Sequence, residues 1–150
     1  MSDLAKREKL LDEFLQYGSL SDFKSWFSAN LISILTDDNP NGKGVDNERI
    51  LLALVSAEGV VNGKLKRTYN VPIPRDNIQE FSIVKLIVFY IAIYNLYGRR
   101  GITQEAQANY DTYTELLDQI ADGTIEFEGK KTHDGITGQT WENEFLNSSI

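Results

Sequence analysis

Asp37, Asn39, Asn41, Gly42 and Glu48 stand at the D-x-[DN]-x-[DN]-G-x5-E spacing of a calcium-binding loop. That chemistry needs hard oxygen donors on a tight turn between two helices, closed by a bidentate Glu at the last position. Asp37, Asn39, Asn41 and Glu48 are therefore the candidate metal ligands, and calcium is the one cofactor the residues suggest. Three features pull the other way. Gly44 occupies the position that usually carries an aliphatic residue, Pro40 lies inside the loop, and two Asn replace charged ligands. Asn, Asp, Pro and Gly also build a plain capped turn between helices with no ion in it.

Catalytic chemistry finds less to work with. The chain has a single histidine, His133, set in a Gly-rich stretch with nothing around it to fix a nucleophile-base pair. No phosphate-cradling Gly-rich motif or zinc-binding H-E-x-x-H occurs, and the adjacent Asp37 and Asp38 read as solvated turn residues rather than a catalytic dyad. No enzyme activity is expected. Lys64, Lys66, Arg67, Arg99 and Arg100 could touch phosphate, but cations at these positions equally cap helix C-termini. Phe89, Tyr90, Tyr94, Tyr97, Tyr110 and Tyr113 suit core packing or a subunit interface, where Tyr is enriched.

The elements that must carry these residues follow from apolar spacing and capping residues. A short amphipathic helix is expected after Ser2 or Asp3, with Leu4, Leu11, Phe14 and Leu15 toward one face and Gly18 ending it. A second helix, capped by Ser19 or Ser21, holds Phe23, Phe27, Leu31 and Leu35 and runs into the turn Asn39 to Gly44. Asp46 caps a third, in which Ile50, Leu54, Ala57, Val61 and Leu65 recur at helical steps. Gly59 and Gly63 inside it predict close packing against a neighbouring helix. Pro72 and Pro74 then break the chain. The next helix, about Asn77 to Tyr97, is apolar almost all round, as a helix enclosed by other segments must be. After Gly98 to Gly101, Thr103 caps a helix with Ala106, Tyr110, Tyr113, Leu117 and Ile120 on one face, and Gly123 closes it. Beyond Phe127 the chain turns polar, with Trp141, Phe145 and Leu146 as isolated anchors; residues 128–150 read as a flexible tail.

The expected architecture is all-α: one domain of four to five helices at residues 18–127 around a central apolar helix, with an N-terminal helical arm at 1–17. At 150 residues such a chain buries roughly 70% of its unfolded surface. With no cysteine, disulfides and thiolate metal sites are excluded, and a reducing cytoplasm is the natural compartment. The opening residues lack the apolar stretch of a signal peptide, and the apolar run Ile83 to Tyr97 is interrupted by Lys85 and short for a bilayer, so no membrane role is expected. A formal charge of -7 opposes non-specific grip on nucleic acid, leaving DNA at most as cargo sliding past an acidic wall.

Several stretches together resemble the small neck, or head-completion, proteins of Mu-like phages and prophages. Tyr17, Asp22 and Phe23 look like that family's first helix, and Leu35, Thr36 and Asp37 with the turn to Asp46 like its first loop. Val61, Asn62, Gly63, Leu65, Tyr69, Val71, Pro72 and Ile73 are similar to its "I-D-x-Y-L-x-x-R-Y-x-L-P-L" stretch. Tyr110, Leu117, Ile120, Ala121, Gly123 and Ile125 match its last helix and turn. The sequence departs at Asn62, where an acid is usual, at Lys64, where an aromatic is usual, and at Thr68, where an arginine is usual. The resemblance covers Tyr17 to Phe127 and implies an all-helical head-tail connector. Copies of it would form a ring between portal and tail proteins, made in the bacterial cytoplasm and then built into the virion. Leu11, Phe14, Trp141, Phe145 and Leu146, in the two segments outside the match, are the candidate interface residues.

Overall fold

The computed structural model describes residues 2–38 and 44–127, and every element among them is a helix: α1 Asp3–Phe14, α2 Leu20–Trp26, α3 Ala29–Thr36, α4 Asn47–Leu65, α5 Ile78–Tyr97 and α6 Gln104–Ala121. Short-range chemistry sets most of the starts. Ser2, Ser19, Asp46 and Thr103 each accept a hydrogen bond from the backbone three residues on. At Ser19 the Asp22 carboxylate reaches back to the cap N–H, so two otherwise unmet donors are satisfied at once. At the far end of the domain Gly123 takes φ +88°, the left-handed turn that follows α6 and that a glycine adopts without strain.

α5 is the centre. Phe81, Val84, Ile87, Val88, Phe89, Ile91, Ala92, Ile93 and Leu96 are all buried along it, against α4 on one side and α6 on the other. Length and apolarity alone would let Ile78–Tyr97 cross a membrane. Here 44% of the stretch is buried inside the protein, as in the core helix of a helical bundle. α1 runs alongside α4, with Arg7 paired to Glu48 near one end and the backbone of Gln16 and Tyr17 bound to Glu58 near the other. The N-terminal helix therefore lies on the same body as the rest, and Tyr17, just before the expected boundary at residue 18, is a core residue.

Three local expectations are corrected. The helix expected from Ser19 through Leu35 is two helices, which brings the total among the described residues to six. Phe27 is extended at φ -104°, ψ 155°, and the Ser28 hydroxyl accepts from Leu31 N at 3.1 Å to start α3 afresh. The break lets the Phe27 ring reach both Phe23 and Tyr90, at 4.9 and 5.5 Å between centroids. Next, α1 stops at Phe14 rather than Gly18, because the Glu58 carboxylate takes the N–H groups of Gln16 and Tyr17 that would have continued it. Finally, Gly59 and Gly63 do not mark a close approach. A Cβ at either would meet nothing within 4 Å. The tight glycine is Gly18, where a Cβ would lie 2.7 Å from Phe89 Cζ.

Candidate protein-contact surfaces

Two tyrosines hold the connections around the core in place, and both belong to the stretches singled out in the sequence. The Tyr17 hydroxyl donates to Asn62 Oδ1 at 2.6 Å and accepts from Ile73 N at 3.0 Å, so one buried ring ties the α1–α2 connection, α4 and the loop around the cis Val71–Pro72 bond together. Burial pushes this phenol up to about 12. The Tyr69 hydroxyl accepts from Phe127 N at 3.2 Å, and its ring packs on Phe127 at 5.6 Å. The three departures from the family pattern all make contacts between elements. Asn62 donates to Gln16 Oε1 at 2.7 Å, Lys64 pairs with Asp118 on α6, and Thr68 donates to Ala121 O at 2.7 Å.

Glu58 was not among the sequence candidates, yet it is the most enclosed carboxylate described, 4% exposed. Its two oxygens receive Gln16 N at 2.8 and 2.9 Å and Tyr17 N at 2.8 Å, and among the described residues no cation pairs with it. Burial raises its pKa, and the N–H donors oppose that without cancelling it. No local pattern separates Glu58 from a surface glutamate; only its position on the inward side of α4 does.

The calcium-loop residues fall partly in view. Asn39 and Asn41 lie outside the described residues. Asp37 accepts from Gly44 N at 2.8 Å, closing the base of the loop. Glu48 points away to Arg7, 2.9 Å distant, and hydrogen bonding by that guanidinium holds its carboxyl below the usual range. To ligate an ion in this loop, Glu48 would have to leave Arg7. Among the described residues no three His, Cys, Asp or Glu side chains group as metal ligands. His133 is likewise outside them.

Of the basic residues, Arg99 and Arg100 do cap a helix C-terminus, but that of α3 rather than their own. Arg99 donates to Leu35 O at 3.0 Å and Arg100 to Asp37 O at 2.7 Å. Both also reach Asp38, at 2.5 and 3.1 Å, and Arg49 joins from α4 at 2.8 Å. The hydrogen bond from Arg99, and then the three nearby positive charges, hold the Asp38 carboxyl below its ordinary value. Asp38, read as a solvated turn residue, is thus the hub joining α3, α4 and the end of α5.

What the molecule offers to partners is therefore surface. On α1, Leu11 faces inward and is half-buried, whereas Phe14 is 66% exposed, together with Leu10 at 68%, one turn before it. Leu4 also faces outward, so the expected apolar face of α1 is divided between its two sides. A second surface is aromatic. Tyr90 and Tyr113 stack at 4.4 Å and Tyr94 and Tyr110 at 3.8 Å, pairing α5 with α6. Trp26, at the end of α2, donates to the Tyr90 hydroxyl at 3.2 Å and is 52% exposed. These tyrosines are half-buried, midway between the two readings the sequence allowed. Trp26 and Leu10 could not be picked out beforehand, because the α2–α3 break and the docking side of α1 decide their exposure. A third surface is acidic: α6 and its cap carry Glu105, Asp111, Glu115, Asp118 and Asp122 with no Lys or Arg. The last four recur at steps of four, three and four, a single exposed stripe. Trp141, Phe145 and Leu146 lie outside the described residues.

Compared with known protein families, the chain matches the one described as Bacteriophage Mu, Gp36 over residues 17–140, and it belongs to that family. The match runs beyond Phe127 into the stretch read as a tail and leaves out the whole of α1. No curated protein matches the chain.

Proposed function

From membership in the Bacteriophage Mu Gp36 family, we propose that this chain is a structural subunit of the virion neck, joining head to tail through protein-protein contacts and not through catalysis. The family match across residues 17–140 carries the reading. Copies would associate with one another in a ring and with portal and tail proteins on either side, after synthesis in the host cytoplasm. Three surfaces support this. The aromatic groups around Trp26 and Tyr90 have the Tyr and Trp character of contact anchors, and the outer side of α1 presents Leu10 and Phe14. The acidic stripe of α6 suits a wall along which DNA passes without sticking.

The test is assembly. Light scattering across a concentration series and negative-stain microscopy, with and without the cognate portal protein, should find rings or portal-bound oligomers. Assembly that occurs only on the portal still fits. A chain that stays monomeric at every concentration and binds neither portal nor tail proteins rules the proposal out. The calcium reading of the Asp37 to Glu48 loop is examined separately by calorimetry with the metal, comparing Glu48→Gln with the parent chain.

A further inference from the structure

Two exposed surfaces of this molecule fit each other. On α1, Leu10 and Phe14 are 68% and 66% exposed, and as residues four apart they share one side of the helix with Lys6. Elsewhere, a groove runs over α5 between the start of α3 and the first turns of α6. Phe27, Leu31, Tyr90 and Tyr97 form its apolar part, Glu105 and Asn109 its polar rim, and it encloses about 180 Å³. We propose that Phe14 and Leu10 of one copy seat in this groove of the next, so that copies join head to tail. The inference rests on the self-association proposed above and names the surfaces that carry it.

Three observations select a second copy as the occupant. The first is size. A cavity of roughly 150 Å³ holds a benzene-sized ring, so the groove has room for the ring of Phe14. The second is charge. Lys6, one turn before Leu10, and Lys9, beside it, are exposed, and the α6 rim of the groove contributes the Glu105 carboxylate. An apolar pair flanked by cations suits that rim, and one flanked by acids does not. The outward acid between the anchors, Glu13, can accept from the Asn109 amide. The third is placement. The N–H groups of Gln16 and Tyr17 are held on Glu58, which fixes the end of α1 beside α4 and keeps Phe14 out of its own groove. A protruding patch and a recess on different parts of one chain are what a heterologous contact requires, and repeating that contact closes a ring where the rotation allows.

The chain has no cysteine, so introduced cysteines report the contact without background. A Glu13→Cys chain mixed with an Asn109→Cys chain and treated with a short bismaleimide should give the crossed dimer several-fold above either like-like dimer. Adding Phe14→Ala to the Glu13→Cys chain should remove that excess while circular dichroism stays unchanged, since Phe14 is exposed. One chain carrying both cysteines should give a ladder of trimers and longer products. A ladder that stops at dimers would assign α1 to a two-fold contact with another α1 and overturn the proposal. So would a crossed dimer no more abundant than the like-like ones, or one that survives Phe14→Ala. The neck reading is tested apart from this contact. Rings of the Phe14→Ala chain on the cognate portal protein would overturn the contact and leave that reading standing. A chain that forms the ladder yet binds neither portal nor tail proteins would do the reverse.

Discussion

Glu58 brings a carboxylate into the protein against the backbone N–H groups of Gln16 and Tyr17, and this makes its two replacements informative. Glu58→Ala leaves the N–H groups of Gln16 and Tyr17 buried and unmet, which should cost about 2–4 kcal/mol in chemical denaturation. Glu58→Gln keeps one acceptor oxygen in place and should cost about 1 kcal/mol. Because burial raises the Glu58 pKa above its ordinary 4.5, the folded state holds this proton more tightly than the unfolded one. Stability should therefore fall as pH rises from 4.5 through the raised value in the parent, and that slope should be missing in Glu58→Gln. Asp38 has the opposite sign. The hydrogen bond from Arg99 depresses it below the ordinary 3.8, so its contribution is complete above that pH and is lost as pH falls through the depressed value. Asp38→Asn should lower the melting temperature at neutral pH, and its difference from the parent should shrink in acid. A constant difference across the acid range would mean that Asp38 acts through its shape rather than its charge.

At the scale of helices, the glycines separate local from tertiary information. Gly59 and Gly63 sit inside α4 with open space where a Cβ would go, so Gly59→Ala and Gly63→Ala should each stabilise by about 0.5–1 kcal/mol through reduced unfolded-chain entropy. Gly18→Ala should destabilise, because its methyl would meet the buried Phe89 ring at 2.7 Å, and well-packed interiors resist added groups at about 1–3 kcal/mol. Thermal melts of the three variants check both signs. The contrast marks what a sequence discloses. Caps at Ser2, Ser19, Asp46 and Thr103 were legible because each is completed three residues on. The enclosure of α5 was legible because an all-round apolar helix leaves few alternatives. The α2–α3 break was not, since Phe27 leaves the helix to pack on Tyr90, 63 residues further along the chain. Nor was the Asp38 hub, whose three arginine partners come from α4 and from the turn after α5. Of the candidate contact residues, Phe14 could be read as a free apolar group, but that Leu10 and not Leu11 stands beside it depends on which side of α1 meets α4.

For the molecule as a whole, charge is concentrated rather than spread. Five of the acids behind a net charge of -7 lie between Glu105 and Asp122, and among them Asp118 is paired with Lys64 of α4. Asp118 and Asp122 also sit at the negative end of the α6 dipole, which works against the helix by a few tenths of a kcal/mol. Beyond the Asp118–Lys64 pair and the bonds Asp122 accepts from Thr124, the stripe acts outward, as a repulsive potential toward phosphate. If it lines the DNA path of an assembled neck, reversing it should turn a sliding wall into a holding one. Asp111→Lys with Glu115→Lys changes the net charge from -7 to -3 while altering exposed positions, where substitutions usually stay within about 0.5 kcal/mol. Assemblies made with this double variant should retain duplex DNA in a mobility-shift assay, where parent assemblies do not. The retention should weaken steeply between about 50 and 200 mM salt, as counterion release requires. Circular dichroism and melting temperature should match the parent, separating a charge effect from misfolding. Variant assemblies that form normally but hold no more DNA than the parent would place the α6 stripe on the outside of the ring, facing solvent or a basic partner.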